Sequence, residues 1–192
     1  MAGSTENGSG RRGNRWRLAV WGTAALLLVL PLLAMQFTEE VAWGLSDFAL
    51  FGAMLFVACG TYELAARMTG NKAYRAAVGV ALAAAFILVW MNLAVGLIGS
   101  EENPANLMYG GVLVVGILGA IIARFRPHGM ALSLVGTALA QVLVVVIALI
   151  VGLAYNLGDT LMLTGFFVAL WLTSARLFRK AAREQSPAGA AP

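Results

Sequence analysis

Six long apolar stretches, separated by short polar segments, dominate this chain of 192 residues. Each stretch is close to the ~20 residues that a helix needs to cross a hydrocarbon core of about 30 Å. The stretches lack the alternation typical of strands, and a backbone in lipid must satisfy its own hydrogen bonds, so we expect helices. The predicted spans are residues 18–36, 48–67, 76–98, 107–123, 130–154 and 161–177.

The charged residues between these stretches alternate in sign along the chain. All thirteen Lys and Arg residues fall in four clusters, at 11–17, 67–75, 124–126 and 176–183. The polar segments between the clusters, at 39–47, 101–106 and 156–159, are acidic or uncharged. This pattern follows the positive-inside rule, which predicts that the basic clusters and both termini are cytoplasmic.

Composition agrees with a membrane protein and changes the interpretation of the net charge. Hydrophobic residues make up 60% of the chain and charged residues 11%, whereas soluble domains carry about a quarter charged residues. The net charge of +4 would suit nucleic acid. The basic residues, however, stand just outside apolar spans, where anionic headgroups are their natural partners. We therefore predict an all-α polytopic membrane protein whose partner is the lipid bilayer and not nucleic acid.

The predicted organisation is one transmembrane domain between two tails. Residues 1–17 are expected to form a disordered cytoplasmic tail, 18–178 the six-helix domain, and 179–192 a basic and then disordered cytoplasmic tail. The first span resembles a signal peptide only superficially. Its apolar core is longer than a typical signal core, and no A-x-A cleavage site precedes Gln36.

Glycines recur at a constant interval in the odd-numbered spans. Gly22, Gly79 and Gly136 lie 57 residues apart, and the segments around Gly79 and Gly136 share Val-Gly-x-Ala-Leu-Ala. One interpretation is a repeat of three helical hairpins related by an axis along the membrane normal. The other is a chance match between helices built from the same common apolar residues. Gly116 and Gly136 also begin small-xxx-small pairs, which predict close helix packing.

Few residues within the spans carry chemistry. A single cysteine, Cys59, and a single histidine, His128, exclude an intrachain disulfide, bis-His haem ligation and a multi-His zinc site, and we expect no cofactor. Glu63 is the one carboxylate within a span. Its simplest role is an ion pair with Arg67 one turn away, and the alternative is a role in transport.

Five other residues in or beside the spans receive structural predictions. Gln141 lies near the middle of the fifth span, where an interhelical hydrogen bond is expected. Four aromatic residues, Tyr62, Trp90, Tyr109 and Trp171, are interpreted as anchors at the membrane interface.

The acidic connections contain the only candidate site. Six of the nine carboxylates lie there without a neighbouring basic residue. Carboxylate and amide oxygens suit Ca²⁺, Mg²⁺ or a cationic solute. The alternative is that Asp47, Asn106 and Asp159 cap the even-numbered spans, beside which they stand. The candidate cation ligands are Glu39, Glu40, Asp47, Glu101, Glu102, Asn106 and Asp159.

Two of the acidic connections have distinctive sequences. The first reads Gln36-Phe37-Thr38-Glu39-Glu40-Val41-x-Trp43 with Ser46-Asp47-Phe48, and the second, within 92–109, contains Gly99-Ser100-Glu101-Glu102-Asn103-Pro104-Ala105-Asn106. These segments resemble those of small bacterial six-helix inner-membrane proteins of uncharacterised activity. The resemblance extends over essentially all six spans. It implies a bacterial inner membrane, and it implies no activity.

The functional hypotheses follow from what the sequence contains and lacks. The sequence has no G-x-S-x-G, no H-E-x-x-H and no phosphate-binding glycine loop, so we expect a non-enzymatic protein. The first hypothesis is an accessory or binding protein that acts through the acidic loops, with another membrane protein as its partner. The alternative is a small-solute or cation transporter with its entrance at the same loops.

Overall fold

The structure of this chain is a computed structural model that describes residues 7–39, 42–99, 103–153 and 157–185. These residues form six α-helices and one short 3-10 helix, and no strand occurs among them. All six are long and apolar enough to cross a membrane, α4 together with the preceding 3-10 helix, so the all-α six-span prediction is confirmed. The helices are α1 Asn7–Ala34, α2 Leu45–Met68, α3 Lys72–Ala94, the 3-10 helix Pro104–Leu107, α4 Met108–Ile122, α5 Pro127–Ile150 and α6 Leu157–Gln185.

Both ends of the chain are more helical than the sequence pattern suggested. α1 begins at Asn7, within the predicted N-terminal tail, and α6 continues to Gln185, within the predicted C-terminal tail. The added turns have partners: Arg17 pairs with Glu63, and Phe178 is fully buried. In α1 and α6, charged residues interrupt the apolar sequence, but the helix continues through them. Residues 1–6 and 186–192 of the predicted tails lie outside the described residues.

The chain separates into two compact units, Met1–Leu64 and Ala65–Pro192. In the first unit, α1 and α2 pack as an antiparallel hairpin. The ring centroids of Trp16 and Tyr62 are 6.4 Å apart, and those of Trp21 and Phe56 are 5.7 Å apart. The residue numbers rise along α1 as they fall along α2, which establishes the antiparallel direction.

In the second unit, α6 packs against both α3 and α5, and α5 packs against α4. Small side chains at the contacts allow close approach of the helix backbones, which is the main source of helix association where lipid supplies no hydrophobic drive. The fully buried apolar residues of this unit include Ala77, Ala84, Leu88, Ala148, Phe167, Phe178 and Ala181.

The packing order bears on the proposed hairpin repeat without establishing it. α5 and α6 lie along each other, whereas α3 makes its main contact with α6 and only a minor one with α4. The second unit is therefore arranged in the order α3, α6, α5, α4. A threefold repeat stays a prediction from the 57-residue spacing.

The helices α4 and α5 approach each other closely at two glycines of α4. A Cβ at Gly119 would lie 2.8 Å from the Ser133 Cβ, and one at Gly116 would lie 3.1 Å from the Thr137 Oγ1. The Ser133 hydroxyl uses this proximity to donate a 3.0 Å hydrogen bond to the Gly116 carbonyl. The glycines therefore allow both the close approach and an interhelical hydrogen bond.

Many large apolar side chains of the second unit lie outside its core. Ile117, Leu139 and Leu143 are each more than half exposed, at 59%, 67% and 57%. Helices surrounded by lipid hydrocarbon are expected to present such a surface. This surface is the physical basis for treating the chain as an integral membrane protein.

Candidate functional site

Four of the seven predicted cation ligands are among the described residues, two in each unit. Glu39 and Asp47 belong to the first unit, and Asn106 and Asp159 to the second. Glu40, Glu101 and Glu102 lie outside the described residues. Among the described residues, no group of three or more His, Cys, Asp or Glu side chains could hold a metal ion. The cation site therefore stays a prediction that depends on the acidic pair at 101 and 102.

Asp47 has the capping role that the sequence offered as the alternative. The Gly44 carbonyl accepts hydrogen bonds from the Asp47 and Phe48 N–H groups, which begins α2. The Gly44 N–H in turn donates a 2.7 Å hydrogen bond to the Asp47 Oδ2. A carboxylate three residues into a helix that accepts from the first N–H forms half of a capping box. The side chain of Asp47 thus has a local structural partner.

Asn106 is neither a helix cap for α4 nor an open ligand. Its side chain is 4% exposed, and its Oδ1 accepts hydrogen bonds from the N–H groups of Leu97 at 3.0 Å and Ile98 at 2.8 Å. The Asn92 Nδ2 also donates to the Asn106 carbonyl. These bonds join the loop after α3 to the start of α4. Since two N–H groups occupy the oxygen that a cation would need, we remove Asn106 from the candidate ligands.

The two other described ligands are exposed. Asp159 lies in the first turn of α6, where a carboxylate complements the positive end of the helix dipole. Glu39 lies in the loop between α1 and α2. There it lines an open depression together with residues 35–38 and Ala42. Neither position by itself distinguishes a capping or solvated carboxylate from a cation ligand.

Glu63 has partners that the sequence pattern did not indicate. The Arg17 Nε lies 2.8 Å from the Glu63 Oε1, and the Trp21 Nε1 donates a 3.0 Å hydrogen bond to the Glu63 Oε2. The Glu63 side chain is 16% exposed and the Arg17 side chain 56%. Each carboxylate oxygen is therefore bound by a donor on α1. The predicted partner Arg67 is on the same helix, and sequence spacing could not show the cross-helix pair.

Hydroxyl groups inside the second unit bond backbone carbonyls. The Ser174 Oγ donates a 2.7 Å hydrogen bond to the Ala77 carbonyl and so links α6 to α3. The Ser133 hydroxyl links α5 to α4 in the same way. Such bonds remove polar groups from contact with lipid and hold helices in register.

Three buried polar atoms among the described residues of the second unit have no hydrogen-bond partner, namely the Asn92 Oδ1, the Gln141 Oε1 and the Trp171 Nε1. Gln141 is 1% exposed and Trp171 is 3% exposed. The Gln141 Oε1 accepts no hydrogen bond, so the interhelical hydrogen bond expected of Gln141 is not made through this atom. Trp171 and Tyr109 are buried in the protein and do not anchor it at an interface. Unpartnered buried polar atoms are uncommon and each needs an explanation.

Three basic segments meet at one end of the second unit. The Tyr74 hydroxyl donates a 2.9 Å hydrogen bond to the Phe125 carbonyl, and its ring packs edge-on against Phe178. The Asn71 Nδ2 donates to the Glu184 Oε2 at 2.9 Å. These contacts join the start of α3, the α4–α5 loop and the end of α6. We call this region the basic end, with the cationic residues Lys72, Arg75, Arg124, Arg126, Arg176, Arg179, Lys180 and Arg183.

Comparison with known proteins gives no family for the chain. No protein-family model matches it, and neither a curated protein nor a solved structure does so.

Proposed function

We propose that this integral membrane protein is a non-enzymatic accessory or binding protein that acts through its acidic loops. The pairing of Glu63 carries the proposal. Glu63 is the one carboxylate of the predicted spans, and both of its oxygens are bound by Arg17 and Trp21. A carboxylate held in this way is suited to joining two helices rather than to releasing a proton or an ion. We therefore assign recognition of a partner protein to the acidic loops.

The proposed setting is a bacterial inner membrane with both termini in the cytoplasm. Three of the four basic clusters contribute residues to the basic end of the second unit, which supports the alternating topology within that unit. By the positive-inside rule, this end faces the cytoplasm and the acidic loops face the periplasm.

A pair of photo-crosslinking variants tests the proposal. One replaces Phe37, which is 88% exposed beside Glu39, and the matched control replaces Leu139, which is 67% exposed on α5. The proposal predicts a crosslink to one membrane protein from position 37 and none from position 139. The same protein should be recovered in stoichiometric amount after purification in mild detergent. Absence of any protein adduct at position 37, together with solute flux by the isolated chain in liposomes, would contradict the proposal.

The second candidate function is transport of a cation or small polar solute. The unpartnered Gln141 Oε1 and Trp171 Nε1 favour it, because a polar solute that passes through the second unit would offer each atom a hydrogen-bond partner. Flux in liposomes that is abolished by Gln141→Leu would support transport. Under the accessory proposal, neither the wild type nor the Gln141→Leu variant moves solute. Gln141→Leu should instead raise the melting temperature, because an apolar side chain of similar size removes the unpaired oxygen.

A further inference from the structure

The C-terminus of α4 has a closing turn in an unusual form. The Phe125 N–H donates to the Ala120 carbonyl at 3.1 Å, and the Arg124 N–H donates to the Ile121 carbonyl at 2.9 Å. This pair of bonds defines a Schellman motif, in which the residue after the cap adopts a left-handed backbone and is usually glycine. Here Arg124 adopts it with φ 50°, and Phe125 follows with φ 57°.

The end of α5 provides a comparison within the same chain. The Leu153 N–H donates to the Ala148 carbonyl and the Gly152 N–H donates to the Leu149 carbonyl, which is the same motif. Its left-handed position is occupied by Gly152, with φ 74°. A side chain at this position strains the backbone, and glycine does not. Left-handed residues other than glycine therefore suggest a functional use of the side chain.

The surroundings of Arg124 are strongly cationic. It belongs to the basic end, where Lys72, Arg126 and Arg179 are also exposed. Glu184 is the one carboxylate among the described residues of this end, and its oxygens face the Asn71 amide and, at 4.0 Å, the Lys180 Nζ. So many like charges in one place repel one another, and a bound anion would relieve the repulsion.

Apolar side chains adjoin these cations. Phe125 is 53% exposed and Ile122 is 81% exposed, one directly after Arg124 and one at the end of α4. The helices α3 and α5, which are long and apolar enough to cross a membrane, also begin here, at Lys72 and Pro127, and we infer that this region lies at the level of lipid headgroups. A free phosphate has no group to cover the apolar side chains, whereas a phospholipid has an acyl chain that does.

We propose that the basic end binds the headgroup of an anionic phospholipid. The guanidinium groups of Arg124 and Arg126 hold the phosphate, for which the planar arginine fork is well shaped. Phe125 and Ile122 contact the acyl chain. Basic pockets between membrane helices are known to bind such headgroups. The strained backbone at Arg124 is retained because it keeps a guanidinium at this point.

Thermal unfolding of the full chain in a neutral detergent tests the site. Phosphatidylglycerol should raise the melting temperature, because a ligand of the folded state stabilises it, while phosphatidylcholine and inorganic phosphate at equal concentration should not. The variant Arg124→Gln/Arg126→Gln should lose at least about half of this rise. The control Arg11→Gln/Arg12→Gln, which removes the same charge from the first unit, should keep it.

A glycine variant separates lipid binding from stability. Arg124→Gly relieves the left-handed strain, so its melting temperature without lipid should equal or exceed that of the wild type. Its rise with phosphatidylglycerol should nevertheless fall. The proposal is overturned if the Arg124 and Arg126 variants keep the full rise. It is also overturned if phosphatidylcholine raises the melting temperature equally, or if inorganic phosphate does so, which would indicate a site for a free anion.

Discussion

The two oxygens of Glu63 have separate donors on the neighbouring helix, one charged and one neutral. The Arg17 guanidinium binds the first oxygen and the Trp21 indole binds the second. The carboxylate therefore contributes to hairpin pairing even though it lies in an apolar span. Replacing only one of the two charged residues leaves the charge of the other without its partner, and this destabilises the folded state.

A double-mutant cycle with Arg17→Gln and Glu63→Gln measures this interaction. Because the Arg17 side chain is 56% exposed, solvent screens the pair, and we expect a coupling of up to about 1 kcal/mol. Melting temperatures of the wild type, the two single variants and the double variant supply the measurement. Strictly additive effects would mean that the contact contributes nothing to stability.

Asn106 shows how one side chain can hold a loop in place. Its Oδ1 accepts from two backbone N–H groups, those of Leu97 and Ile98, in a buried position. In Asn106→Ala both N–H groups lose their acceptor, and each unsatisfied buried group costs about 1–3 kcal/mol. We therefore expect a large fall in melting temperature.

The matched control for this prediction is Asn103→Ala. Asn103 accepts a single local bond from the Ala105 N–H at the start of the 3-10 helix. Loss of such a cap costs about 1 kcal/mol. An equal or larger fall for Asn103→Ala would contradict the role assigned to Asn106.

Sequence reasoning succeeded for individual residues where the interaction is local. The capping role of Asp47 was one of two stated alternatives, because this residue stands next to the start of an even-numbered span, and its side chain does accept a hydrogen bond there. The Arg17–Glu63 pair and the bonds to Asn106 connect residues that are distant or irregularly spaced. Sequence periodicity does not indicate such pairs. They become evident only when the three-dimensional positions of the helices and loops are known.

At the level of the helices, the length of the apolar stretches predicted all six membrane-spanning helices but not the residues at which they begin and end. All six spans were found, because the cost of an unsatisfied backbone in lipid leaves helices as the only open-chain solution. The extensions of α1 and α6 were missed because Arg residues interrupt hydropathy without interrupting a helix. The burial of Trp171 was missed because the face of a uniformly apolar helix that meets a neighbour is not evident from its composition.

The contact between α4 and α5 gives a prediction about packing. Gly119→Ala places a methyl group 2.8 Å from the Ser133 Cβ, so the helices must separate. Overpacking of this kind costs about 1–3 kcal/mol, which should lower the melting temperature.

Gly165→Ala in α6 is the control for this prediction, since no heavy atom lies within 4 Å of its added Cβ. It should stabilise the protein by up to about 1 kcal/mol through helix propensity. A neutral effect of Gly119→Ala would show that the contact is looser than described.

For the whole molecule, the cation site depends on acidic residues of the loops and no longer includes Asn106. We predict that Ca²⁺ or Mg²⁺, at about millimolar concentration, raises the melting temperature by binding the folded state. Glu101→Gln/Glu102→Gln should abolish the rise and leave the metal-free protein at least as stable. Melting curves that do not change with either ion at neutral pH would leave these residues as solvated loop carboxylates.

The arrangement of charge along the chain predicts a membrane topology that can be tested without a ligand. The acidic connections and the basic clusters alternate at the ends of six helices, and three basic segments meet at one end of the second unit. If the positive-inside rule applies, the acidic connections lie in the periplasm and both termini in the cytoplasm.

Reporter fusions along the chain test this topology most directly. Fusions after Asp47, Asn103 and Asn156 should be active only with a reporter that functions in the periplasm. Fusions after Lys72, Arg126 and Arg183 should be active only with a cytoplasmic reporter. A cytoplasmic signal from the fusion after Asn103 would contradict both the orientation and the number of spans.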